Sequence, residues 1–152
     1  MTLDVNTIFA QITSHAKLLG KFVNVTSHEP KSAPGNGLTC AIWLRGITPV
    51  PEGSGLTQTS ARVEFSIRIY QNFLAQPEDG IDKKLLDAAS ILMNEYSGDF
   101  ELGGNVWFVD LLGTYGAPLA AEAGYLDQDG KKYRVLVITL PVIVDNVWTR
   151  TA

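Results

Sequence analysis

Residues 61–73 alternate cleanly between apolar and polar side chains. Val63, Phe65, Ile67, Ile69 and Phe73 share one side of an extended strand; Arg62, Glu64, Ser66, Arg68 and Tyr70 share the other. A strand of this kind buries one face and turns its charged face to water or to a partner. It is also longer than the usual strand of about five or six residues. A second alternating run covers residues 38–47, with Leu38, Cys40, Ile42 and Leu44 on one face and Thr39, Ala41, Trp43 and Arg45 on the other. Residues 46–60 connect the two. Neighbouring antiparallel strands need a turn of only about two to five residues. This connection is longer and holds no row of acids, bases or metal ligands, which points to a contact surface rather than an active site.

Around this pair the pattern changes period. Residues 4–19 read as a helix, with Ile8, Ile12, His15, Ala16 and Leu19 at three- and four-residue steps and Gly20 able to end it in a left-handed cap. Residues 22–26 read as a short strand, and 27–37, with Pro30, Pro34, Gly35 and Gly37, as loop. A second helix is expected over 81–96, with Asp79 as N-cap, Asp82 in the first turn, and a stripe of Ile81, Leu85, Ala88, Ala89, Leu92 and Tyr96. Strands are expected over 105–112 and 133–144. Between them 113–132 reads as a Gly- and Ala-rich loop with an Asp129-Gly130 turn signal. Pro141 places an edge or a bulge in the last strand, because proline removes a ladder donor. The expected fold is α+β: one domain over 1–152, a mostly antiparallel mixed sheet of about five strands, two helices packed on one face.

Composition narrows the function. With 45% hydrophobic residues the chain can bury a core, and with 18% charged residues its surface is lean in charge. A net charge of −4 argues against gripping nucleic acid through its phosphates. Cys40 is the one cysteine, so no intrachain disulfide forms. The N-terminus lacks the basic start and apolar run of a signal peptide, and no stretch approaches the roughly 18 apolar residues of a membrane span.

Chemistry-bearing residues are sparse. His15 and His28 have too few neighbouring ligands for a metal site. Cys40 lies on an apolar strand face without a base beside it, as a core thiol does. Asp110, in the apolar run 106–112, is either a general base or the partner of an arginine such as Arg68 or Arg134; no companion acid or nucleophile is near it in sequence. The glycine-rich stretches 32–37 and 53–55 match no phosphate-binding motif. Lys83 and Lys84 sit among acids on a solvated helix face. No catalytic residue, cofactor or metal is expected.

The segments Ser32-Ala33-Pro34-Gly35-Asn36-Gly37-Leu38, Ala41-Ile42-Trp43, Ser54-Gly55-Leu56 and Arg68-Ile69-Tyr70, followed by Tyr96-Ser97-Gly98-Asp99-Phe100, Val109-Asp110-Leu111-Leu112-Gly113, Ala123-Gly124-Tyr125-Leu126, Arg134-Val135 and Leu140-Pro141-Val142-Ile143-Val144, resemble tail-terminator (tail-completion) proteins of long-tailed bacteriophages. The resemblance runs from about residue 30 to 148. It implies a non-enzymatic virion protein, found in the neck and assembled in the host cytoplasm. It also implies a homo-hexameric ring on the last ring of the tail tube. The tube protein would lie on one side and the head–tail connector or stopper protein on the other, with DNA passing through the lumen. Such a ring needs a heterologous interface. The candidate contact residues are Leu56, as apolar anchor of the 46–60 connection, with Thr57, Gln58, Trp43, Arg62, Arg68, Tyr125 and Asp127; the 113–132 segment and Trp107 offer alternatives. Competing readings are another neck component, and a small ligand-binding domain or hydrolase built around Asp110 and Arg68.

Overall fold

The alternating run of residues 61–73 lies in a strand, Gln58–Asn72, that stands between two others in the sheet and starts earlier than its alternation shows. In the computed structural model the described residues are 3–31, 37–51, 54–55, 57–74 and 77–149. The candidate anchor Leu56 and most of the 32–37 segment lie outside them. The element order is α1 (Val5–Leu18), β1 (Asn24–Thr26), β2 (Thr39–Val50), β3 (Gln58–Asn72), a short 3-10 turn (Glu78–Gly80), α2 (Ile81–Gly98), β4 (Phe108–Val109), β5 (Ala120–Gln128) and β6 (Lys131–Thr149). The six strands form one curled sheet in the order β1-β2-β3-β6, with β6 flanked on its far edge by β5 and β4 at different heights. β1 runs parallel to β2 and every other pair is antiparallel, so the fold is α+β with a mostly antiparallel mixed sheet.

Cys40 and Ile42 of β2, Val63, Phe65, Ile67 and Ile69 of β3, and Ile138, Leu140 and Val142 of β6 join one hydrophobic cluster. Ile8, Ile12 and Ala16 of α1 and Leu85, Ala88, Ala89, Leu92 and Tyr96 of α2 enter the same cluster. The helices are also tied to each other. The Tyr96 hydroxyl donates to the Ile12 carbonyl at 2.9 Å, and Asp99 receives His15 Nε2 at 2.8 Å and Gln11 Nε2 at 2.9 Å. Gly20 follows α1 with φ +67°, the left-handed conformation expected of a glycine there.

Cys40 is fully buried, and burial pushes its thiol up to about 12. Cys40→Ser is expected to destabilise the fold by about 1–3 kcal/mol, since a hydroxyl has no partner in that cluster. A melting temperature equal to that of the wild type would mean that the site is wetter than it is drawn here.

Burial raises the Asp99 carboxyl, but hydrogen bonds from His15, the Gly103 amide and Gln11 outweigh it and leave the group below its ordinary value of 3.8. A depressed carboxylate stabilises above its unfolded value, and that contribution is lost as pH falls through the lower folded value. Asp99→Asn is therefore expected to melt earlier than wild type near neutral pH, with the gap closing below about pH 4. A gap that stayed constant down to pH 2 would remove Asp99 as its source.

Four expectations are corrected. The 113–132 segment is not a loop throughout, because Ala120–Gln128 is a full strand of nine residues. Its alanines and glycine are poor strand formers, and its pairing with β6, not its composition, makes it a strand. The 46–60 connection is shorter than expected, since β2 runs on to Val50 and β3 starts at Gln58. The strand expected over 105–112 shrinks to Phe108–Val109. Asp79 does not cap α2; Gly80 stands at the N-cap without a side-chain bond, because a 3-10 turn over Glu78–Gly80 precedes the helix and takes in Asp79. Pro141 lies inside β6, opposite Glu64 and between the stretches that pair with β5 and β4. Its carbonyl accepts the Asp110 amide on that outer side, so its missing N–H faces a gap and not a ladder.

Candidate assembly surfaces

The charged face of β3 is the first surprise of the structure, because the chain itself covers part of it. Arg62 is 4% exposed. Its guanidinium donates to Glu64 and to the Ala117 carbonyl, and Nε lies 3.5 Å from Asp110 Oδ2. Asp110, 2% exposed, also accepts the amides of Thr114 at 2.8 Å and Tyr115 at 3.0 Å. The segment from Asp110 to Pro118 thus wraps the arginine. Arg62, expected as a contact residue, has its cation engaged inside the chain. Asp110 pairs with an arginine as one reading expected, but with Arg62 and not with Arg68 or Arg134. Both of its oxygens accept backbone amides, so the carboxylate is held on both sides by the segment that follows it.

Further along the same face, Arg68 stacks over Trp43 at 4.8 Å and over Tyr70 at 5.7 Å. Trp43 packs with a second hydrophobic cluster of Ala41, Tyr70, Tyr133 and Val135. Two expected contact residues, Trp43 and Arg68, are therefore neighbours. Thr57 is exposed and Gln58 half-buried at the start of β3.

Tyr125 and Asp127 lie together on β5, and Tyr125 is 59% exposed. The Tyr125 ring stands edge-on to Phe73 at 5.8 Å, beneath Arg134 at 4.5 Å and Lys132 at 5.0 Å. Phe73, Tyr125 and Arg134, with Leu74, Glu78, Ile81 and Asp82, line a cavity of about 310 Å³. Arg134 is held there by Asp82 at 3.0 Å. Phe73, Lys132 and Arg134 were not among the expected contact residues, because nothing local announces that β5 brings a tyrosine beside them.

A third surface is wholly apolar. Leu3, Val5, Ile8 and Phe9 from the start of α1 meet Leu44 and Ile47 of β2 and Val63 and Phe65 of β3 around a groove of about 190 Å³. Val5, Leu44 and Ile47 remain 49%, 52% and 42% exposed. The register slip between Leu44 and Gly46 lets both Leu44 and Ile47 point to this side.

Among the described residues no group of three or more His, Cys, Asp or Glu is placed to hold a metal ion. Among the same described residues no helix is long and apolar enough to cross a membrane. The chain matches no protein-family model and no curated protein sequence.

Proposed function

We propose that this chain is a ring-forming assembly subunit of the tail-terminator kind, which caps the head-proximal end of a phage tail tube, stops its growth and offers the surface to which the head's connector docks. The observation that carries this reading is the apolar groove between the start of α1 and strands β2 and β3. Exposed apolar side chains that stand together, here Val5, Leu44 and Ile47, favour a protein contact, and a ring requires a patch that receives a different patch of the next copy. Leu56, which lies between β2 and β3 in sequence, is the side chain proposed to enter the neighbour's groove. The sequence resemblance supports the class of assembly, and the net charge of −4 suits a lumen through which DNA slides without being gripped.

Tail length decides the matter. Negative-stain microscopy of an infection lacking the protein is expected to show overlong, headless tails that purified wild-type protein corrects and Ile47→Asp protein does not. Tails of normal length that fail to join heads would assign the chain to another neck component. Normal virions would end both assembly readings.

A further inference from the structure

We propose that the free subunit pairs with a second copy of itself through β5, two β5 strands adding edge to edge about a two-fold axis. One face of β5, with Ala121, Ala123, Tyr125 and Asp127, is exposed, and the other is half-buried from Gly124 on; among the described residues nothing pairs with its outer edge, and the one hydrogen bond at its end is from the Gln128 side chain to the Pro30 carbonyl. Natural edge strands carry proline, lysine or bulges, or are very short. The other edges here follow that rule. β1 has three residues, and the open part of β2 holds the slip between Leu44 and Gly46, Arg45 and Pro49. β5 has no proline and no lysine, its register against β6 is unbroken over nine residues, and its only charges are Glu122 and Asp127.

The hydrogen-bond phase of the edge follows from the hairpin. Asp129 and Gly130 form a two-residue turn with φ +53° and +74°, so Gln128 and Lys131 are the hydrogen-bonded pair that closes it. Bonded and non-bonded pairs alternate from there. The Pro141 carbonyl, which faces the same side of β6, agrees in phase. Ala121, Ala123, Tyr125 and Asp127 therefore present their amides and carbonyls outward, enough for about eight main-chain bonds with an identical strand. Antiparallel partners must share phase, which leaves one register that uses all nine residues: Gly124 opposite Gly124 of the second copy. In it Glu122 faces Leu126 and Asp127 faces Ala121, so no acid opposes an acid.

This contact goes beyond the ring reading and is tested without a tube. A two-fold pair does not propagate around a ring. Because Tyr125 and Asp127 lie on the paired strand, the pair and any ring contact along that edge exclude each other. Sedimentation equilibrium of the full chain is expected to give about twice the 16.5 kDa subunit mass. Ala123→Pro should reduce it to a monomer with the wild-type circular dichroism, since the lost amide makes no bond inside the chain. Gly124→Cys gives a readout that does not depend on a proline. Non-bonded antiparallel pairs stand about 4.5 Å apart at Cα, within disulfide range, and a Cβ at Gly124 meets only Val135 Cγ2 at 3.7 Å. Mild oxidation should convert that variant to a covalent dimer while buried Cys40 stays silent. A wild-type monomer at every concentration, a dimer unchanged by Ala123→Pro, a higher oligomer, or a Gly124→Cys dimer that does not cross-link would each overturn the proposal.

Discussion

Arg62→Met is expected to cost about 3–5 kcal/mol of folding free energy, the largest loss from any single exposed-face position of β3. The side chain of Arg62 is 5% exposed and that of Asp110 is 2% exposed, with Glu64 beside them at 23%. Removing the cation leaves the Asp110 carboxylate out of water without a cation, and leaves Glu64 with only Arg45 Nε at 4.0 Å. The Ala117 carbonyl loses its donor in the same step. For a chain of this length the loss lowers the melting temperature by on the order of 10 °C. The penalty comes from the orphaned charges and not from any great intrinsic worth of the pair. Neutralising both acids in the same protein, as Arg62→Met with Glu64→Gln and Asp110→Asn, is therefore expected to recover part of it. Urea unfolding of the single and triple variants measures both. A single variant within 1 kcal/mol of wild type would show that water reaches the cluster.

That cluster also marks the limit of what the sequence discloses. Alternation over 61–73 was legible because a period of two survives any neighbour, and it put Arg62, Glu64 and Arg68 on one face correctly. What covers that face depends on a segment about fifty residues later in the chain, whose glycines and prolines carry no periodicity. The helices were legible within two residues of their ends, since their stripes repeat at 3.6 residues; that Asp4 caps the first by accepting the Thr7 amide was not part of that reading. β5 was illegible for the opposite reason. Ala120, Ala121, Ala123 and Gly124 offer neither alternation nor strand propensity, and only β6 on one side makes them a strand. Among the candidate contacts, Tyr125 and Asp127 were chosen from a presumed loop and stand instead on an exposed strand, while Arg62 was chosen from a strand and is buried.

The second large effect tests whether the 110–118 segment is built around Arg62. Gly113 has φ +74°, and a β-carbon there would stand 2.5 Å from the Gly116 carbonyl oxygen and 2.9 Å from the Pro118 nitrogen, both backbone atoms. The left-handed conformation alone costs a non-glycine residue about 1–2 kcal/mol, and the collision forces the turn to open as well. Opening it moves the Thr114 and Tyr115 amides off Asp110 and the Ala117 carbonyl off Arg62. Gly113→Ala is thus expected to lose stability by the same route as Arg62→Met, and the two should not add. Once the arginine is gone, the segment has less to hold, and the glycine change should cost less in the Arg62→Met background by about 0.5–3 kcal/mol. A cycle of the four proteins in urea supplies the number. Strict additivity would mean that the turn and the ion cluster are stabilised separately, and that the face of β3 is covered by coincidence of packing and not by a segment shaped to its charge.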